Sequence, residues 1–216
     1  MTDFARLMSD YFVKYLAGQK GSGSNTMKTY RDTFVQLLEF MDEKKHIRAD
    51  CIEVDSFSYD IINEFLEYLE KEKRVSISTR NNRLAAIRSF FKYTGYHEPK
   101  YLNISTSIRE ISKKKTEGRQ MNYLSVNAME HFLNSFDKTD HKELRCFCIV
   151  LLLYESGARV TELCNVRRYD LHLEKPYTMI LHGKGDKIRS VPLDGLVADV
   201  ISTYIQKYRV DDNDFL

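Results

Sequence analysis

Residues 151–193 read LLLYESGARVTELCNVRRYDLHLEKPYTMILHGKGDKIRSVPL, and the fold turns on them. The stretch opens on the end of an apolar helix, turns at Gly157, and starts a second amphipathic segment at Arg159 with Leu163 and Val166 inward, ending near Arg167-Arg168. Pro176 breaks any helix. Tyr177-Thr178-Met179-Ile180-Leu181 is then β-favouring, and Ile188–Leu193 returns as the second strand of a hairpin. Its loop, Gly183-Lys184-Gly185-Asp186-Lys187, holds two glycines and two lysines. A helical layer closed by a small antiparallel hairpin is expected.

Working outward, a helix from about Asp140 to Ser156 is apolar on every side between Phe147 and Tyr154, which predicts the centre of a core. Ser125 caps a helix containing Met129, Phe132 and Leu133, and Leu196, Val197, Val200, Ile201, Tyr204 and Ile205 form one more after the hairpin. The first half of the chain carries four apolar stripes. They are Phe4 to Tyr15, then Tyr30 to Met41 after a Ser24 or Asn25 cap, Ile62 to Leu69 after Ser58, and Leu84 to Phe91 after Ser76 and Ser78, with Gly95 just past the last. Short links between them predict a four-helix bundle. From Asn103 onward the apolar pattern thins into a basic linker, so the expected organisation is a helical domain over 1–112, a linker over 113–120 and a second domain over 121–216.

No apolar run is long enough to span a bilayer, and the N-terminal segment with Asp3 and Asp10 is unlike a secretory leader, so a cytoplasmic protein is expected. Cys51, Cys146, Cys148 and Cys164 lack CxxC spacing, and three of them sit in apolar helical context as small buried hydrophobes. The net charge of +2 is unevenly spread: residues 1–120 hold 21 Lys and Arg against 17 Asp and Glu, and the rest 12 against 14. Between Lys73 and Lys92 there are six cations and no acid, a local field that attracts polyanions.

The fourth helix gives this charge a shape. Opposite Leu84, Ile87 and Phe91 lie Asn81, Asn82, Ala85, Arg88, Ser89 and Lys92, small residues ringed by amides, a hydroxyl and cations that can bond phosphates or base edges. A solvated helix face would more often carry Glu/Lys pairs, yet a face that meets RNA or only solvent remains an alternative. Lys113, Lys114 and Lys115 suit both a soluble linker and a cationic strap around a duplex. The Walker pattern, HExxH and GxSxG are absent, which excludes the common NTPase, zinc-hydrolase and serine-hydrolase signatures; no metal or cofactor is expected. Arg159 stands at a helix start, where the macrodipole favours anions, so it makes sense if its partner is an anionic ligand held jointly with the helix N–H groups. Glu162, three residues on, can orient it; a plain Arg159–Glu162 surface ion pair explains the same two residues without a ligand.

Three segments resemble the tyrosine recombinases, the phage-integrase and Xer-type site-specific DNA recombinases, over essentially the whole chain. They are Ser24–Arg31 with Leu38 and Phe40, Ser78–Phe91, and in the second half YESGARVTEL at 154–163 with Asp170 and GKGDKIRSVPL at 183–193. The resemblance implies a mainly α protein, with a SAM-like core-binding bundle joined to the first half of an α+β catalytic domain. It implies a clamp on double-stranded DNA and, in the complete protein, attack of a Tyr on the scissile phosphate to give a 3′-phosphotyrosyl link without metal or ATP. Arg159 would clamp the phosphate oxygens, Glu162 would brace it, and Lys184 would protonate the leaving 5′-oxygen. DNA contacts would come from Thr26, Lys28, Arg80, Asn81, Asn82, Arg83, Arg88, Lys92, Lys113, Lys114, Lys115, Lys187 and Arg189.

The family's HxxR motif occurs nowhere, and Tyr204 and Tyr208, the tyrosines after the hairpin, read as core or edge residues. No nucleophile is therefore assigned, and the chain is expected to bind DNA without cutting it, as a monomer in isolation that can meet recombinase protomers on DNA. A naturally truncated, non-catalytic DNA-binding regulator is the alternative.

Overall fold

The computed structural model describes residues 1–116, 118, 122–183, 185, 187–208, 211 and 214. It forms two compact units, Met1–Arg119 and Gln120–Leu216. Both are dominated by helices, and the second holds a small antiparallel sheet of three strands among the described residues.

In the first unit α1 (Asp3–Asp10) starts on a Thr2 cap, whose Oγ1 accepts the Ala5 N–H at 3.2 Å, and continues as a wider π-type turn over Tyr11–Gln19. Next come α2 (Ser24–Lys45), α3 (Tyr59–Lys71) and α4 (Ile77–His97). Ser58 and Ser76 cap α3 and α4 through their hydroxyls, whereas Gly23 holds the cap position of α2 without a side-chain bond. The core is aromatic. Phe90 of α4 meets Phe4, Tyr11 and Phe34 at ring-centroid distances of 5.6, 5.4 and 5.3 Å, the offset and edge-on spacings such rings favour.

A fifth helix, α5 (Leu102–Glu110), lies where the apolar pattern was expected to thin. Ile104, Ile108 and Ile111 keep helical spacing there, but polar residues stand between them, and one of these, Ser105, is itself buried. Gly95 is likewise not a terminator: it sits inside α4, where an added Cβ would come within 2.6 Å of Ser105 Cβ. Ser105 Oγ donates to the Phe91 carbonyl at 2.6 Å, so α5 is bonded onto α4 at a point where only a glycine lets the two backbones approach.

In the second unit, α6 (Val126–Asn134) and α7 (His141–Ser156) start on Ser125 and Asp140 caps. Gly157 ends α7 at φ +57°, donating its N–H to the Leu153 carbonyl at 3.1 Å. α8 is short, Val160–Leu163, where a helix running to Arg167-Arg168 was expected; Leu163 and Val166 are buried as anticipated. A 3-10 turn (Arg168–Asp170) leads into β1 (Leu171–His172), then β2 (Thr178–His182), β3 (Ile188–Pro192) and α9 (Gly195–Tyr208). The sheet order is β1-β2-β3, with Leu181 paired to Arg189 and Met179 to Val191.

α7 does not lie at the centre of a core on all sides. Leu144, Phe147, Cys148 and Leu152 are buried, while Tyr154 is exposed and Ile149, Leu151 and Leu153 are half-covered, because the layers of this unit cover one face only. Of the cysteines only Cys148 is buried, its thiol pushed up to about 11 by burial; Cys51, Cys146 and Cys164 are exposed, and all four are free. Tyr204 is a core residue against α7, its ring 5.2 Å from that of Tyr208.

Candidate nucleic-acid interface

α4 is more deeply buried than its stripe suggested, and this divides the cations read from it into two kinds. Arg80, 5% exposed, lies beside Glu70 at 3.2 Å and donates to the Ser112 carbonyl at 3.2 Å. Arg83 is half-buried and donates to α2, at the Thr29 carbonyl (3.0 Å) and Thr33 Oγ1 (3.3 Å). Arg80 thus ties α4 to α3 and to the segment after α5, and Arg83 ties it to α2. Asn81 does the same: its side chain accepts the Lys114 N–H at 3.1 Å and donates to the Lys114 carbonyl at 2.8 Å, while the Lys114 ammonium pairs with Glu70 at 2.7 Å.

The remaining cations converge. Arg88 and Lys92 line a groove of about 380 Å³ with Ala85 and Ser89 of the same helix, Lys113 of the linker, Tyr15, Tyr30, Lys20 and Arg109. Among the described residues no carboxylate lines it, and none of its five cations has an acidic partner. Lys20 and Arg109 were not among the residues singled out from sequence. Arg109 could have been found by following the Ile104, Ile108 and Ile111 spacing, which puts a helix under it; Lys20, in a Gly-rich loop, carries no such signal. Asn82 and Lys115 are exposed, and Thr26 is half-buried at the start of α2. Lys28 shares a separate hollow with Ser24, Asn25 and Arg31.

In the second unit the geometry centres on Glu162. Its carboxylate, 3% exposed, accepts four hydrogen bonds: Oε1 from Arg159 Nη1 (2.8 Å) and Arg189 Nη1 (3.1 Å), Oε2 from the Arg159 N–H (3.0 Å) and Arg189 Nη2 (2.7 Å). That fills the lone-pair capacity of a carboxylate. The Arg189 fork beside it is the largest cause holding the Glu162 carboxyl down at about 2, with the Arg159 N–H and guanidinium adding to it against burial; the Arg189 guanidinium is raised in return. Two guanidinium groups against one carboxylate leave a net positive charge, and the Arg159 side chain that carries it is 75% exposed.

Of the two explanations for an Arg at that helix start, the ion pair with Glu162 is the one present within the chain. α8 is too short to offer a phosphate cradle of N–H groups, and the anion that balances Arg159 within the chain is Glu162 itself. Arg189, expected to contact DNA, spends its fork on Glu162 instead. The β2–β3 register explains why: opposite Leu181, it shares the face that Leu181 buries, at the end of the sheet where Glu162 lies. Gly183 closes the arrangement, for a Cβ there would stand 3.3 Å from Glu162 Oε1 and 3.2 Å from the Lys187 carbonyl. Gly185 turns the loop at φ +75°; Lys187 is exposed beside it, and Lys184 lies outside the described residues. Asp170, also buried, accepts the Arg167 N–H at 2.9 Å and contacts His182 Nε2 at 3.2 Å. Among the described residues no group of His, Cys, Asp and Glu is placed to hold a metal ion.

Comparison with known proteins agrees with this architecture. Residues 10–99 match the SAM-like N-terminal domain of phage integrases, and residues 122–216 match the phage integrase family. The chain is 29% identical over 205 residues to the tyrosine recombinase XerD of Listeria innocua and 26% identical over 204 residues to XerC of Staphylococcus aureus. Those alignments cover 93% and 94% of this chain and 64% of each relative, so the chain spans less than two thirds of their length. Among solved structures, the Tn1549 transposon integrase in complex with transposon right end DNA superimposes with a TM-score of 0.67 at 19% identity, covering 100% of this chain and 68% of that one. The XerH recombinase bound to its difH substrate before cleavage gives 0.64 at 21%, covering 96% and 60%. The chain belongs to the tyrosine recombinase family. Among the described residues no helix is long and apolar enough to cross a membrane.

Proposed function

We propose that this chain grips duplex DNA through the basic groove of its first unit and carries, in its second, the phosphate-holding part of a strand-exchange active site. The observation that carries this reading is the convergence of Lys20, Arg88, Lys92, Arg109 and Lys113 on one groove that, among the described residues, no carboxylate lines. Cations on a folded surface usually gather acids around them; a groove that leaves five uncompensated suits a polyanion. DNA-bound relatives of the same fold support the choice of duplex over other polyanions.

In the second unit Arg159 presents its guanidinium outward while the Glu162–Arg189 pair fixes its base. A preorganised cation of this kind stabilises the charge that builds on a phosphoryl oxygen during displacement. Lys184, on the hairpin loop by its place in the sequence, is assigned as the donor to the leaving 5′-oxygen. In the complete protein a Tyr would form the 3′-phosphate link that keeps the phosphodiester energy. These 216 residues contain no HxxR, so on their own they are expected to bind without cutting.

The test is a gel-shift titration with a duplex, run beside incubation with a nicked suicide substrate. A retarded complex that Arg88→Ala with Lys92→Ala weakens, and no covalent adduct, is the expected result. Unchanged duplex affinity in the double variant removes the groove from the account, and a covalent adduct overturns the expectation of inactivity.

A further inference from the structure

A cavity of about 660 Å³ opens beside the basic groove and shares Tyr15, Lys92 and Arg109 with it. Its volume falls within the range of small-molecule sites. The floor is the close crossing of α4 and α5 at Gly95 and Ser105, and aromatic rings supply the walls. Tyr15 and Tyr93 lie 5.3 Å apart between ring centroids, Tyr93 and His97 4.2 Å, and Tyr96 and His97 5.4 Å. Tyr93 is nearly covered, but Tyr96, which meets His97 edge-on, is 85% exposed and leaves most of its ring open at the cavity.

The charges complete the picture. Among the lining residues the cations Lys92 and Arg109 stand on the side shared with the groove, and among the described residues no carboxylate lines the cavity. Aromatic walls favour a planar ring, and cations at the shared edge favour an anion attached to it. A purely apolar ligand would leave those cations unused, and a phosphate alone would leave the rings unused.

We propose that this cavity is a nucleotide subsite, taking one nucleobase among Tyr15, Tyr93 and Tyr96 with its phosphate on Lys92 and Arg109. The same chemistry is offered by a free nucleoside monophosphate and by a nucleotide turned out of a bound duplex. Only the second source rests on the reading of the first unit as a DNA-binding surface. Turning a base out costs least where it is already unpaired, so the two sources are separable.

The experiment titrates the full chain by calorimetry at low salt with thymidine 5′-monophosphate, thymidine and inorganic phosphate. In parallel it measures affinity for a fully paired duplex and for the same duplex with one unpaired thymidine. Two variants are compared, Tyr96→Ala, which removes a wall, and Leu102→Trp, which fills the space from a lining position that is itself 53% exposed. Thymidine monophosphate is expected to bind at least about tenfold tighter than either of its parts. Each variant should weaken it by at least about fivefold, the lower end for loss of one stacking ring, while leaving paired-duplex affinity within about twofold. Preference for the unpaired duplex that both variants abolish identifies DNA as the source; a response of the mononucleotide alone identifies the free nucleotide. Monophosphate binding no tighter than inorganic phosphate, or unchanged in both variants, overturns the proposal. Loss of paired-duplex binding in the unaltered chain would instead overturn the DNA-binding reading, with the mononucleotide titration still deciding the cavity.

Discussion

Glu162 is ionised against burial because two guanidinium groups and a backbone N–H hold it, and its carboxyl titrates near 2 instead of the ordinary 4.5. A carboxyl depressed on folding contributes stability that is fully present above its unfolded value and lost as pH falls through the folded one. The second unit should therefore lose stability between about pH 4.5 and 2. Thermal melts across that window should show a flatter acid slope in Glu162→Gln, with a lower melting temperature at neutral pH because Gln cannot balance two guanidinium groups. Gly183→Ala sets a methyl against Glu162 Oε1 and the Lys187 carbonyl and should cost about 1 kcal/mol by overpacking, read from urea midpoints. The Arg159–Glu162 pair was legible in the sequence, three residues apart on one turn. Arg189 was not, because its partner is fixed by strand register across 27 residues of chain.

Periodicity exposed most elements and failed where polar residues do structural work. α1 to α4, the caps at Ser58, Ser76 and Ser125, the start of α7 near Asp140, and the β2–β3 hairpin all followed from stripes and turn residues. α5 escaped because its buried face includes Ser105, whose hydroxyl is satisfied by the Phe91 carbonyl of another helix, a partner that local sequence cannot reveal. Gly95 read as a helix end for the same reason: a glycine selected for close approach has the same letter as one that terminates. Gly95→Ala should destabilise the first unit by about 1–3 kcal/mol. Hydrogen exchange should then show α5 amides opening before those of α4; equal protection of α5 in the variant would mean the crossing is not what holds it. α7 shows the opposite failure, since an all-round apolar helix is a statement about composition, whereas burial depends on what packs against it.

Across the whole chain a net charge of +2 conceals both candidate sites. Counting charges by half pointed to the first unit, and the helical face of α4 pointed to Arg88 and Lys92, but a linear count could not separate cations that bind outward from cations that brace the fold. Arg80 and Arg83 fell in the second class only once α4 was seen to be packed by α2, α3 and α5. Lys20 and Arg109 entered the first class from segments far apart in sequence. The groove they form makes a quantitative statement, because each phosphate neutralised on duplex DNA contributes about 0.9 to the slope of log affinity against log salt. The most direct measurement is that slope for the intact chain and for Arg88→Ala with Lys92→Ala, on one duplex from low to physiological salt. Five groove cations predict a slope steeper than about −4 in the intact chain, reduced by about 2 in the double variant. A salt-independent affinity, or the same slope in both proteins, would contradict the assignment of this groove to DNA.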